Sequence, residues 1–299
     1  SVLAIMAAKR QLIGALGGIV KALHVWGALP PIADLVGLAH DVNKITADPS
    51  LMKIKNEALD GIVKSIMEQI SAAERRKQEP DLTLEDYARL VGLPGAGEKG
   101  EMLVRLVAPR LTEARVPEIL RVVEAASSAD VAMVTKVAVE AVFTSKAAAS
   151  AKDAALAIRT LLARGLAEQS CAEALARCGA HMDTADLVSC AAALSEREAV
   201  AGSLPAAVAL LEARGSLHEA PPEALLALAV AGTKVEALGP LLGPVAEAAA
   251  RTLAAFPVPD VIRLLLATSK AKGQPAPATA RGALFAEASA LLRPRLPNL

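Results

Sequence analysis

Cys171, Cys178, His181 and Cys190 are the one close grouping of metal-ligating residue types in this 299-residue chain. On an unbroken helix the step from Cys171 to Cys178 is two turns, about 10 Å, whereas thiolates that share a zinc ion each lie about 2.3 Å from it. The spacing predicts buried thiols that act as small apolar side chains. Three cysteines are an odd number, which argues against a disulfide framework and for a reducing compartment. His24, His40 and His218 are scattered, and no serine, histidine and acid fall in an arrangement that would suggest a nucleophile with its base. The carboxylate pairs Glu85 and Asp86, and Glu196 and Glu198, sit in polar stretches and read as solvated.

Gly92 to Gly100 (G-L-P-G-A-G-E-K-G) has the look of a phosphate loop. Such a loop follows a strand and ends in Lys and then Ser or Thr at a helix start, where ammonium, hydroxyl and backbone N–H groups converge on phosphate. Here Glu98 separates Gly97 from Lys99, Gly100 stands at the hydroxyl position, and the preceding segment has a helical pattern. The stretch reads as a linker. No catalytic, cofactor-binding or metal-binding residue is nominated, no cofactor is expected, and an enzyme is not the expected class.

The elements that carry these residues follow from composition. The chain is 54% hydrophobic but 2% aromatic, and a core of Ala, Leu and Val favours closely packed helices over strands, which draw on aromatic and β-branched residues. The fold class is all-α. Lys plus Arg equals Asp plus Glu at 32 each, whereas a protein that binds nucleic acid through phosphates normally carries a basic excess.

The apolar run from Leu12 to Leu29 approaches the length of a membrane span, but Lys21 lies near its middle and Pro30 and Pro31 close it. A charge at mid-bilayer costs roughly 3 kcal/mol on insertion scales, so a packed helix, buried against a partner, is the expected state. A second helix follows from Ile32 to Lys44. A longer amphipathic one runs from Leu51 to Arg76, with Ile54, Ala58, Ile62, Ile66 and Ile70 on one face. Thr83 and Asp86 give a capping signal for a helix carrying Tyr87, Leu90 and Val91.

Beyond the linker a repeat emerges. Acidic residues open aliphatic runs at Glu118 (V-P-E-I-L-R), Asp153, Asp186, Glu223 and Asp260 (V-P-D-V-I-R), spaced by 33 to 37 residues. Seven residues after each marker stands Ala125, Thr160, Ala193, Val230 or Ala267, small or β-branched as close helix approach requires. Between the markers lie partner segments: Ala129 to Phe143, Leu166 to Cys178, Leu204 to Leu217, Val235 to Phe256, and Ala278 to Leu292. The least degraded copy, Val258 to Gly273, predicts Leu265 as a stacking position. The expected architecture is an α-solenoid of antiparallel helix hairpins: an N-terminal helical region over 1–91, a linker over 92–100 and a repeat array over 101–299. Ala33-Asp34-Leu35-Val36 recurs as Ala185-Asp186-Leu187-Val188, which favours further repeats in the first region without deciding it.

The units ending in Gly232 and Gly273, with Phe256 before Val258-Pro259-Asp260 and Leu284-Phe285 after Gly273, resemble the degenerate helical repeats of organellar proteins. Those are the octotricopeptide and heptatricopeptide repeats and the arrays of the FAST-kinase family. The resemblance covers about residues 115–299 and implies a mitochondrial or plastid location and often RNA binding. No pair of polar residues recurs at fixed positions as a base-reading code would require.

Two functional expectations follow. The leading one is a non-catalytic scaffold or peripheral subunit of a larger organellar assembly, partnered by other protein subunits, with the N-terminal apolar helix as an anchor. The other is an RNA-binding repeat protein acting on an organellar transcript or rRNA fragment.

Overall fold

A computed structural model describes residues 11–15, 18, 27, 30–45, 49–76, 78, 80–94, 96–144, 150–197, 204–215, 217–270 and 276–293. Among them there is no strand, and the chain is all-α. It divides into two compact units, Ser1–Ser145 and Lys146–Leu299, each built of stacked helix hairpins in the manner of an α-solenoid.

The first unit contains α1 (Ile32–Lys44), α2 (Pro49–Arg75), α3 (Leu84–Val91), α4 (Gly100–Leu111), α5 (Val116–Ser128) and α6 (Ala132–Thr144). The opening helices of the three hairpins stand in a row, α1 against α3 and α3 against α5; α2 packs on α1 and α6 on α5. The second-helix row is uneven: α4 packs closely on α6, but α2 and α4 do not pack closely on each other.

The second unit contains α7 (Ala151–Ala163), α8 (Glu168–Cys178), α9 (Thr184–Ser195), α10 (Leu204–Arg214), α11 (Pro222–Gly232), α12 (Leu242–Thr252), α13 (Val258–Ser269) and α14 (Ala278–Leu292). Each odd-numbered helix touches the next odd one, and each packs on the even helix that follows it. The segment read as one partner from Val235 to Phe256 is a 3-10 turn (Glu236–Leu241), then α12, then a second 3-10 turn (Leu253–Ala255). Pro240 lies within the first turn and cannot donate the N–H that a continuous α-helix would need there.

Each opening helix starts in a similar way, and the repeat markers are part of it. Glu118, Asp153, Asp186, Glu223 and Asp260 all lie in the first turns of α5, α7, α9, α11 and α13, where negative charge meets the positive end of the helix dipole. Asp34 and Asp86 hold the same place in α1 and α3. Thr83 and Asp86 form a capping box: the Asp86 N–H donates to the Thr83 hydroxyl at 3.2 Å and the Thr83 N–H to the Asp86 carboxylate at 3.0 Å. The Asp186 N–H donates to the Asp183 carboxylate at 2.7 Å. In α11 and α13 prolines at the start, Pro221 with Pro222 and Pro257 with Pro259, fix φ where no intrahelical donor is required.

The Gly-rich stretch lies inside the first unit and joins α3 to α4. It is anchored there, because Leu93 is fully buried and a Cβ on Gly92 would lie 3.8 Å from that of Ala125 on α5. On α2, Ala58, Ile62, Ile66 and Ile70 are buried as the period predicts, while Ile54 is half-buried. The positions seven residues after the markers are less uniform than close helix approach requires. Ala267 is buried, Ala125, Thr160 and Ala193 are half-buried, and Val230 is exposed. The tight approach is elsewhere, at Gly232, where a Cβ would come within 2.8 Å of the buried Leu242 side chain and so would have to displace it.

Candidate functional site: a methionine-floored groove and the charges around it

Of the metal-ligating residue types, Cys171 and Cys190 come near enough to influence each other, but the four do not gather as a set. Cys171 on α8 and Cys190 on α9 are buried free thiols and Cys178 is half-buried, while His181 is exposed. Cys171 Sγ lies 4.0 Å from the Leu166 carbonyl and Cys190 Sγ 3.7 Å from that of Ala155. Burial pushes both thiols up to about 12. Among the described residues no group of three or more His, Cys, Asp or Glu side chains is placed to hold a metal. His40 lies on α1 and His218 precedes α11. Most of the apolar run from Leu12 to Leu29 lies outside the described residues; of those described, Ile13 is buried and Leu12 exposed. No described helix is long and apolar enough to cross a membrane.

Many basic side chains hold the hairpins together. Lys55, almost fully buried on α2, donates to the carbonyls of Asn43 and Ile45 (2.9 Å to Ile45) at the end of α1. Arg197 donates to the Leu162 carbonyl at the end of α7, and Arg214 to those of Ala180 (3.1 Å) and Met182 after α8. Lys55 and Arg197 sit where a helix leaves carbonyls without intrahelical partners and where its dipole is negative, whereas Arg214 ties α10 to the 3-10 turn that leads into α9.

The arginines placed irregularly relative to the markers have comparable roles. Arg121 on α5 reaches Glu85 on α3 at 3.8 Å, Arg159 on α7 reaches Asp186 on α9 at 3.2 Å, and Arg263 pairs with Asp260 of its own helix at 3.5 Å. Glu118 is held below the usual carboxylate value, first by the hydrogen bond from the Arg115 guanidinium and then by that from the Arg115 backbone.

Asp186 is the sensitive member of this set, its side chain only 14% exposed. Burial raises its carboxyl above the ordinary value, while Arg159 acts in the opposite direction. Stability contributed by the neutral form is present at low pH and is lost as pH rises through the carboxylate range. Arg159→Gln removes the compensating charge. It is expected to cost about 1–3 kcal/mol at pH 7, the range for a buried polar group left unsatisfied, and almost nothing at pH 3. Urea denaturation of both proteins at the two pH values checks this.

A concavity lies within the first unit, where the second-helix row is open between α2 and α4. It is an open groove of about 980 Å³. Val63, Met67, Met102 and Met133 form its floor, over a narrow apolar slot lined in part by Leu90, Leu93 and Leu103. Met67 is nearly buried and Met133 is 49% exposed. Three of the six methionines in the chain thus meet in one groove. Asp60, Glu68, Glu98 and Glu101 stand around it, and so do Lys64, Arg75, Lys99 and Arg105.

At 27 residues α2 is about 40 Å long and α1, at 13, about 20 Å. Lys55, bonded to the end of α1, and Gln69, which donates to the Pro30 carbonyl at its start, bracket the pairing, so Asp60 to Glu68 border the groove from the stretch of α2 alongside α1, and Ser71 and Arg75 from beyond it. The Gly-rich stretch and its 3-10 turn (Ala96–Lys99) then carry the chain along the groove before α4 begins. The apolar pattern of the sequence does not single out Met67, Met102 and Met133 or show that they share one groove.

No family model, curated protein or solved structure matches the chain.

Proposed function

We propose that this protein is a non-catalytic helical-repeat scaffold, a peripheral subunit of a larger organellar assembly held through protein–protein contacts. The observation that carries this reading is the charge-balanced, methionine-floored groove, an interaction surface with four acids and four bases around an apolar floor. Methionine side chains adapt their shape to a partner, and mixed charge on a rim suits a protein surface better than a run of phosphates. The ordering of Lys55, Arg159, Arg197 and Arg214 on carbonyls and carboxylates of the protein itself supports it further. A mitochondrial or plastid setting, and membership of the octotricopeptide, heptatricopeptide or FAST-kinase-like arrays, belong to this proposal and rest on the repeat pattern alone.

Sedimentation of the endogenous protein from purified mitochondria, with and without ribonuclease, tests the reading. The expected result is migration with a large assembly that survives ribonuclease. Migration as a free monomer overturns it, and release by ribonuclease would establish the RNA-binding role in its place.

A further inference from the structure

We propose that the groove between α2 and α4 receives an amphipathic helix of a protein partner, aliphatic on its inner face and carrying both signs of charge on each flank. This rests on the scaffold reading and names the class of partner that the surface takes. The open place lies in a row of helices: α4 has α6 on one side, and toward α2 it has the groove. Two turns of helix, about 10 Å in diameter and 11 Å long, occupy roughly 850 Å³, and an open groove of about 980 Å³ has room for them. The floor supplies what a helix needs beneath it, since Met67, Met102 and Met133 present flexible thioethers that mould around aliphatic side chains.

The rims specify the flanks. On α2, Asp60 and Lys64 are exposed and stand four residues apart; on α4, Glu101 and Arg105 repeat the order of acid then base at the same spacing. Residues four apart on a helix share a face. A partner helix with a base and an acid four residues apart on each flank therefore finds opposite charges on both rims. A uniformly acidic or basic segment meets repulsion at half of them, and such repulsion sets specificity.

The test uses the full chain and a soluble 18-residue helical peptide, aliphatic along one face, with Lys and Glu four residues apart on each flank. Two control peptides carry only Glu or only Lys on the flanks. Titration by fluorescence anisotropy is expected to show the mixed peptide binding at least tenfold more tightly than either control. Met133→Glu, at a half-exposed position, should weaken it at least tenfold with an unchanged thermal midpoint. Lys64→Glu combined with Arg105→Glu should switch the preference to the all-Lys peptide.

Absence of binding at millimolar peptide, or binding indifferent to Met133→Glu, overturns the inference. So does a wild-type dimer that Met133→Glu splits, which would assign the groove to a second copy, and so does displacement of the mixed peptide by a short RNA. Sedimentation separates this inference from the reading beneath it. If the wild type joins an assembly and Met133→Glu joins it equally, the groove is not the docking site and the scaffold reading stands. If the wild type joins none, the scaffold reading fails whatever the peptide does.

Discussion

Leu264→Asp is expected to unfold the last hairpin, α13 and α14, while the rest of the second unit stays folded. Leu264 is fully buried on α13, in the row that packs on α11. Removing the leucine forfeits about 2–3 kcal/mol of apolar burial. A carboxylate in its place must either ionise without a partner or take up a proton, which adds several kcal/mol. The sum exceeds about 5 kcal/mol, comparable to the whole stability of many domains. In a linear stack each hairpin is held by its neighbours only, so damage at a terminal hairpin is released locally. Circular dichroism should lose the helical signal of α13 and α14, and limited proteolysis should cut beyond Phe256 while α7 to α11 remain protected. Leu266→Asp, at a position 52% exposed, is the control and should change stability by less than about 0.5 kcal/mol. Wild-type protection of α13 and α14 in the Leu264 variant would rule out the stacked-hairpin arrangement of this end.

That experiment belongs at Leu264 because the sequence pattern misplaced the buried stripe by one residue. Val261, Leu264, Ala267 and Thr268 face inward, whereas Leu265 is half-buried. With Leu264, Leu265 and Leu266 consecutive, apolar periodicity cannot choose among them; the crossing of α13 on α11 does. The same ambiguity affects the Ala-rich α11 and α14, which are apolar on nearly every side.

The acidic markers were legible because capping and dipole chemistry act within one turn and leave a local signature. Asp34 and Asp86 carry the same signature; Asp86 stands 32 residues before Glu118, close to the repeat interval, but Asp34 stands 52 before Asp86 because the 27-residue α2 lies between them. The groove was not legible for a related reason. Periodicity shows which face of α2 is apolar, but that Met67 meets Met102 and Met133 depends on where α4 starts and on which neighbour α2 lacks. The arginines were informative only in three dimensions: Arg159 acquires its meaning from Asp186 on the neighbouring helix and Arg197 from the Leu162 carbonyl.

Between pH 8 and pH 10 the protein is expected to lose about 3 kcal/mol of stability through two thiols. Cys171 and Cys190 are buried, and burial, which disfavours the thiolate, moves both from an ordinary value near 9 to about 12. Below pH 8 the thiols are neutral in the folded and the unfolded chain alike and do not contribute to the pH dependence. Above 9 the unfolded chain releases both protons while the folded one keeps them, so the unfolded state gains up to about 1.4 kcal/mol per thiol per pH unit until the folded thiols ionise.

The measurement is urea denaturation of the wild type and of Cys171→Ala combined with Cys190→Ala at both pH values. The double variant starts lower at pH 8, by about 1 kcal/mol per site for the lost volume. It lacks the thiol-dependent slope, so the wild type's lead of about 2 kcal/mol should close before pH 10 and reverse by about 1 kcal/mol there. Tyrosine and lysine titrations are common to both proteins and cancel in the difference. A parallel decline of the two would mean that the thiols ionise as freely in the folded chain as in the unfolded one, and so are not buried between α8, α9 and α7. A converging and then crossing pair would show that the packing that builds the repeat core holds the proton on both buried sulfurs at neutral pH.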